Sequence, residues 1–311
     1  MSTSNKVALF GGTGFIGSYI LEELVQNGFK PTLLIRKNSE SKLTIKKNIN
    51  IITGTLDDAQ AINETIHNCD TIIYSVGLIR EIPQKNVTFN KLHYEYFKNV
   101  VDISNINNIN KIIYISANGV ASSGTKYQTS KYAAEEYLKN NFNNWTIFQP
   151  SVVFGDPKGK MEFVTQLKEE IIDKYFPAPL FFIINPFKYN TFFKSNPVHV
   201  QDLAELVVKS IDSPNANNQS YQVGGPIQTS WSSILKSISH VVGKRKISLP
   251  VPISIVQFIA TITDKLNVLP ITAAQIKMLK ENNICNSENI FHDFDIKPTG
   301  FNTDSIKYLN K

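Results

Sequence analysis

Two Tyr-x-x-x-Lys patterns occur in the chain, Tyr94 with Lys98 and Tyr127 with Lys131. On a helix this spacing sets a phenol and an ammonium one turn apart on the same face. The cation favours the phenolate, which lowers the phenol pKa toward a value suited to moving a proton to or from a carbonyl or alkoxide. A third stretch offers different chemistry. Gly11, Gly14 and Gly17 form G-x-x-G-x-x-G directly after the apolar run Val7–Phe10 and at the opening of a helical pattern. Glycine at Gly11 permits a tight turn, Gly14 lets backbone approach a diphosphate, and Gly17 lets helix pack closely on strand, while the helix N-terminal amides face the anion. Thr13, Phe15 and Ile16, between these glycines, are expected to complete the cradle.

These residues act together only if the chain brings them to one place. β-rich runs at Val7–Phe10, Thr32–Ile35, Ile49–Thr53, Thr71–Val76, Ile112–Ser116 and Thr146–Phe148 alternate with helical patterns at Ser18–Asn27, Asp58–His67, Phe89–Ile106 and Tyr127–Asn140. Strand then helix, repeated, predicts an α/β fold: a Rossmann-type doubly wound parallel sheet with right-handed crossovers and helices on both faces. The alternation fills residues 1–150, the expected nucleotide-binding domain. Beyond Pro150 prolines become frequent, and separate helices are expected at Gln201–Asp212, Ser230–Val242, Val251–Leu266 and Thr272–Asn282. Residues 151–311 therefore read as a smaller C-terminal α/β substrate lobe, expected to roof the crevice outside the carboxyl ends of the strands. In this topology Tyr127 opens the helix after the fifth strand, beside the loop "SANGVASSGTKYQTSK", where its phenol reaches the crevice. Tyr94 and Lys98 lie in the preceding helix and read as structure.

The strand ends predict which dinucleotide is held. An enzyme that reads the 2'-hydroxyl of NAD commonly carries Asp or Glu at the end of the second strand. Here that strand ends in Arg36 and Lys37, cations suited to a 2'-phosphate, which Arg36 can grip with two parallel hydrogen bonds. NADP(H) is accordingly expected over NAD(H). "TGTLDD" (53–58), with Leu56, would flank the adenine, and Ser75, Val76 and Gly77 after the fourth strand would leave space beside the diphosphate.

Composition narrows the remaining classes. The formal charge of +6 is spread in short groups, so no nucleic-acid partner is expected. Cys69 and Cys285 lack a C-x-x-C spacing and point to a reducing compartment. "MSTSNK" leads straight into a strand pattern, which predicts no export signal and a cytoplasmic protein. The apolar windows Tyr175–Phe193 and Val251–Thr263 are interrupted by prolines or too short to span a bilayer, yet either could rest against a membrane or a partner. A peripheral place at the inner face of a membrane is the second expected location. His93 and His199 each stand without a second ligand at useful spacing and read as structural, so no metal site is expected.

With these residues placed, the chain resembles the extended short-chain dehydrogenase/reductase superfamily (epimerase/dehydratase-like) over nearly its whole length. The matching marks are "GGTGFIG", "ISANG" before "YQTSK", "FQPSVVFGDP", "NPVHVQDLAE", "SYQVGGP" and "FDIKPTGFNTDSIKYL". Through "VGLI", "LHYEYFKNVVD", "SANGV" and "ITAAQIKMLKENNI" it looks most similar to the atypical branch that includes the nucleotide-binding accessory subunit (alpha subcomplex subunit 9) of respiratory complex I. The resemblance implies that Tyr127 is the acid/base, that Lys131 holds the nicotinamide ribose and tunes Tyr127, and that cofactor contacts run on to Pro150 and Val153. It also implies a Ser or Thr just beyond the fifth strand, where Ala117 or Asn118 stands; Ser116 would serve only if the loop register shifted by one. Gln149 replaces the usual Arg, and Thr55 the usual Asp. Two functions follow as expectations. One is an NADP(H)-dependent oxidoreductase or epimerase-type enzyme on an apolar small molecule; the other is a non-catalytic NADPH-binding structural or assembly factor of a respiratory membrane complex.

Overall fold

The computed structural model describes residues 6–182, 193–257 and 273–310. Among them the strands of four or more residues are β1 (Lys6–Phe10), β2 (Lys30–Ile35), β3 (Asn50–Thr53), β4 (Thr71–Tyr74), β5 (Lys111–Ile115), β6 (Trp145–Pro150), β7 (Ala178–Phe182), β8 (Gln219–Val223) and β9 (Ser248–Pro252). The helices among the described residues include α1 (Phe15–Gln26), α2 (Ala59–Ile66), α3 (Tyr96–Ile106), α4 (Lys126–Asn141), α5 (Phe163–Leu167), α6 (Val200–Lys209) and α7 (Trp231–Val241).

Seven strands form one sheet in the order β8-β6-β5-β4-β1-β2-β3, every neighbouring pair parallel. This is the Rossmann-type α/β fold that the alternation predicts. The order runs one way from β1 through β2 to β3 and the other way from β4 outward, so the chain switches direction between β1 and β4. In open α/β sheets that switch point opens the ligand crevice at the carboxyl ends. Ser75 N–H donates to the Phe10 carbonyl at 2.9 Å, which continues the β1–β4 pairing into both loops at that point.

The chain divides into two compact units. The first comprises residues up to Pro150 together with 200–223 and 289–297, and the second holds the remainder. In the first, Ala8, Phe10, Ile72, Tyr74, Ile112, Tyr114 and Ile147 are buried in one core with Phe97, Val100, Val101 and Leu138 from the covering helices. Strands covered on both faces read as continuous apolar runs instead of alternating ones. Each large side chain taken from water contributes about 1.5–3 kcal/mol, an upper range because unfolded chains are already partly collapsed. The second unit has its own core, with Phe154, Val164, Trp231, Ile234, Ile276 and Phe301.

Local signals fix the helix starts. Asp58 accepts from the amides of Gln60 and Ala61 and caps α2; Thr125 and Gln128 exchange hydrogen bonds in a capping box that starts α4. The expected helix Phe89–Ile106 is divided: a π-helical turn over Asn90–Glu95 leads into α3. Of the expected helix Val251–Leu266, the first two residues belong to β9 and 253–257 are helical; its residues from 258 onward lie outside the described residues, as do positions 183–192 of the aromatic window.

Candidate functional site

The glycine loop occupies the β1–α1 turn at the switch point. Gly11 has φ +93°, and a Cβ there would stand 2.6 Å from the Ser75 carbonyl oxygen; a Cβ on Gly17 would stand 2.1 Å from the Gly11 oxygen. Both glycines are required by the turn itself. Gly14 differs. Its φ of −81° suits any residue, it is exposed, and its nearest neighbour to an added Cβ is the Gly11 oxygen at 3.2 Å. Gly14 also caps α1 with no side chain, so the first amides of the helix, which have no intrahelical acceptor, open toward that space. An open backbone cradle at a helix N terminus fits the diphosphate of a dinucleotide. Thr13, Phe15 and Ile16 are half-buried around it.

The neighbouring strand ends deliver the other predicted residues. β1 pairs with β2 at a constant offset, Lys6 opposite Lys30 through Phe10 opposite Leu34. Arg36 and Lys37 therefore emerge, exposed, beside the glycine loop. Leu56 lies half-buried after β3, its carbonyl held by Asn99 Nδ2 at 3.2 Å. Ser75, Val76 and Gly77 follow β4, and Gly77 is so placed that a Cβ on it would lie 3.7 Å from both His93 Nε2 and Lys131 Nζ. Pro150 closes β6, whereas Val153 belongs to the second unit.

α4 positions the proposed proton-transfer pair. Tyr127 stands in its first turn, half-buried, with the Phe89 and His93 rings in T-shaped contact with it at centroid separations of 5.6 and 5.4 Å. Lys131 is buried one turn on; its Nζ donates to the Ile115 carbonyl at 3.0 Å and sits 5.2 Å from the centre of the Tyr114 ring. The expected lowering of the phenol pKa is not what the structure gives. Burial pushes Tyr127 up to about 12, and burial brings Lys131 down to about 8, with Glu135 opposing. The physical reason is that the ammonium is drawn to a strand-end carbonyl and an aromatic face, leaving the phenol desolvated. Tyr127 thus keeps its proton at neutral pH.

His93 is a satisfied core histidine with a place in this site. Leu78 N–H donates to its Nε2 at 3.2 Å, so the proton is assigned to Nδ1, which stands 2.9 Å from Ser130 Oγ; that hydroxyl in turn donates to the Tyr127 carbonyl at 3.0 Å. Burial, followed by the charge of Lys131, depresses its pKa to about 2, and the ring stays neutral. The π-helical turn that carries it is the kind of irregularity often found at functional sites.

Ser116 keeps the strand register. Its N–H donates to the Phe148 carbonyl at 2.8 Å and Asn118 N–H to the Pro150 carbonyl at 2.9 Å, so the loop does not shift by one. Its hydroxyl donates to the buried carboxylate of Glu135. Gln149 Nε2 lies 2.9 Å from both oxygens of the same carboxylate, and Lys139 approaches it at 3.7 Å. Glu135 is a site residue beyond those the motifs indicate, although Tyr127, Lys131 and Glu135 recur every four positions and so share one helix face. Phe89 and Asn99, which touch predicted site residues, carry no comparable sequence signal.

Comparison with known proteins agrees with this geometry. A family model described as NAD(P)H-binding matches residues 11–174, more than half the chain. The chain belongs to the NAD(P)H-binding family. It is 22% identical to the NADH-ubiquinone oxidoreductase 40 kDa subunit of Neurospora crassa, over 98% of this chain and 79% of that protein. It is also 22% identical to the ceramide reductase of Caulobacter vibrioides, over 79% of this chain and 74% of that one. Among solved structures, the UDP-glucose 4-epimerase of Thermus thermophilus in complex with NAD superposes with a TM-score of 0.73 at 16% identity, covering 98% of this chain and 97% of that chain, which shows a shared fold.

Proposed function

We propose that this chain binds NADP(H) and acts as an oxidoreductase or epimerase-type enzyme on an apolar carbonyl or hydroxyl compound, with Tyr127 as its acid/base group. The observation that carries the reading is the exposed, side-chain-free Gly14 at the head of α1, on the same sheet edge as the Tyr127–Lys131 pair. Hydride exchange at a substrate carbon is the chemistry that a bound nicotinamide supplies. Gly14 and the first amides of α1 hold the diphosphate, Arg36 and Lys37 grip the 2'-phosphate, and Leu56 and Ser75–Gly77 border the remainder. Lys131 holds the ribose. Tyr127, protonated and held by Phe89 and His93, gives its proton to a substrate oxygen as negative charge develops there, and takes it back in the reverse direction. The likeness to a ceramide reductase supports an apolar substrate. The test is NADPH oxidation with a panel of long-chain ketones and quinones, alongside NADPH and NADH titrations. Turnover with at least one ketone and tighter binding of NADPH are expected.

A second reading is favoured by a specific observation. Ser116 is tied to Glu135, and Ala117 and Asn118 bring no hydroxyl to the end of β5, where the family resemblance implies a Ser or Thr. On that reading the chain keeps NADPH bound as a structural or assembly element of a respiratory complex at a membrane, as its likeness to a complex I subunit supports. Among the described residues no helix is long and apolar enough to cross a membrane. Retained NADPH without turnover on the whole panel distinguishes this reading from the first.

A further inference from the structure

The second unit carries a surface that the cofactor chemistry does not use. β7 and β9 run parallel, Ala178 opposite Ser248, and Ala178 N–H donates to the Ile247 carbonyl at 2.8 Å. The two segments leading into the strands, Lys174–Pro177 and Lys244–Ile247, therefore lie side by side. Their apolar side chains stand in water: Tyr175 is fully exposed, Phe176 is 77% exposed and Ile247 74%, with Leu249 half-exposed beyond them. Beside them opens a cavity of about 260 Å³ lined by Lys236, Lys244, Arg245 and Lys246 with Ser239 and Ser248.

The charges there are one-sided. Asp173 answers Lys244 at 2.6 Å and Lys168 at 2.9 Å, and Lys246 donates to the Lys174 carbonyl. Among the described residues no carboxylate lies within ion-pair reach of Lys236 or Arg245, both exposed. A cationic hollow next to projecting aromatic and aliphatic side chains matches the boundary of an anionic bilayer. Phosphate headgroups meet the cations, and Tyr and Phe enter the region between headgroups and acyl chains. A protein partner would need a pocket shaped for each projecting side chain, whereas a bilayer accepts them without one.

We propose that this surface docks the chain on anionic phospholipid membranes, with Lys236, Lys244, Arg245 and Lys246 meeting phosphate headgroups and Tyr175, Phe176 and Ile247 entering the interface. The inference does not depend on the cofactor site, and NADPH titration of every variant keeps the two separate. The experiment is co-sedimentation of the full chain with vesicles of phosphatidylcholine alone and of equal parts phosphatidylcholine and phosphatidylglycerol. Binding is expected only to the anionic vesicles and should be released by salt, since exposed charge attraction is screened. Arg245→Glu and Lys236→Glu, both at exposed positions, should each weaken binding roughly tenfold, in keeping with the attraction of single cations to an anionic leaflet. Tyr175→Ser with Phe176→Ser should weaken it without changing the salt dependence, and all these variants should bind NADPH as the parent does. Equal binding to both vesicle types, binding unchanged by the charge reversals, or capture of free inorganic phosphate without vesicle association would each overturn the proposal.

Discussion

Tyr94 with Lys98 and Tyr127 with Lys131 share a spacing and almost nothing else. Lys98 is 41% exposed and ion-pairs with Asp102 at 2.6 Å, and that partner lifts its pKa to about 12. Tyr94 is half-buried against the core of the first unit, its ring in T-shaped contact with Tyr137. Lys131 is 4% exposed, hydrogen-bonded to a strand-end carbonyl, and brought down to about 8 by burial. Its tyrosine lies in the first turn of α4 against the stacked, buried rings of Phe89 and His93. One motif thus gives a solvated ion pair in one place and a desolvated acid in the other. Both helices start beyond the carboxyl ends of parallel strands, β4 and β5; the difference is set by which helix face carries the pair, so a spacing acquires chemistry only through what that face packs against.

The comparison requires a dinucleotide beside Tyr127, and Gly14→Val is the strongest way to break it. The side chain would fill the diphosphate space while φ stays ordinary, so NADPH binding should fall below detection in a calorimetric titration with the thermal midpoint little changed. Gly17→Ala is the contrast: its Cβ meets the Gly11 oxygen at 2.1 Å, and the variant should lose stability first. Unaltered NADPH affinity in a folded Gly14→Val chain would remove the cofactor from this site.

Arg36→Ala should weaken NADPH by about 1–3 kcal/mol and leave NADH nearly unaffected, the range for loss of a charge-assisted contact. Equal losses for both cofactors, read from parallel fluorescence titrations, would mean that Arg36 does not read the phosphate.

The pKa of Lys131 sharpens the comparison through pH. Its ammonium is present below about pH 8 in the folded chain and lost above it, so NADPH affinity should fall by up to about tenfold per pH unit above 8. Stability of the free chain should move the other way. Between pH 8 and 10.5 the unfolded lysine holds a proton that the folded one has released, and stability therefore rises with pH. Lys131→Met should flatten both profiles. Lys98→Met, the smallest expected effect, should change stability by about 0.5 kcal/mol or less and leave cofactor binding intact, as for exposed helix pairs.

The sheet and the glycine loop were legible because they rest on local signals: apolar runs, glycine spacing and the cap at Asp58. β8 was not among the expected strands. Its Gln-Ser-Tyr-Gln-Val sequence is mostly polar, and it becomes a strand by pairing with β6 at the sheet edge. β7 and β9 contain prolines and likewise depend on each other. In the site, residue types and helix spacing pointed to Tyr127 and Lys131. The direction of the Tyr127 shift was not legible, because it depends on where the ammonium goes once Ile115 and Tyr114 are in place. The environment of His93 follows from a π-helical turn that no periodicity announced.

Tyr127 carries the proposed proton transfer. Tyr127→Phe and Tyr94→Phe should be compared in one assay of NADPH affinity and NADPH oxidation with the best ketone of the panel. The account predicts that Tyr127→Phe binds NADPH like the parent and loses about 10²–10⁴-fold in turnover, the usual contribution of an acid/base group, while Tyr94→Phe changes neither. Undiminished turnover in Tyr127→Phe, or an equal loss in both variants, would contradict it.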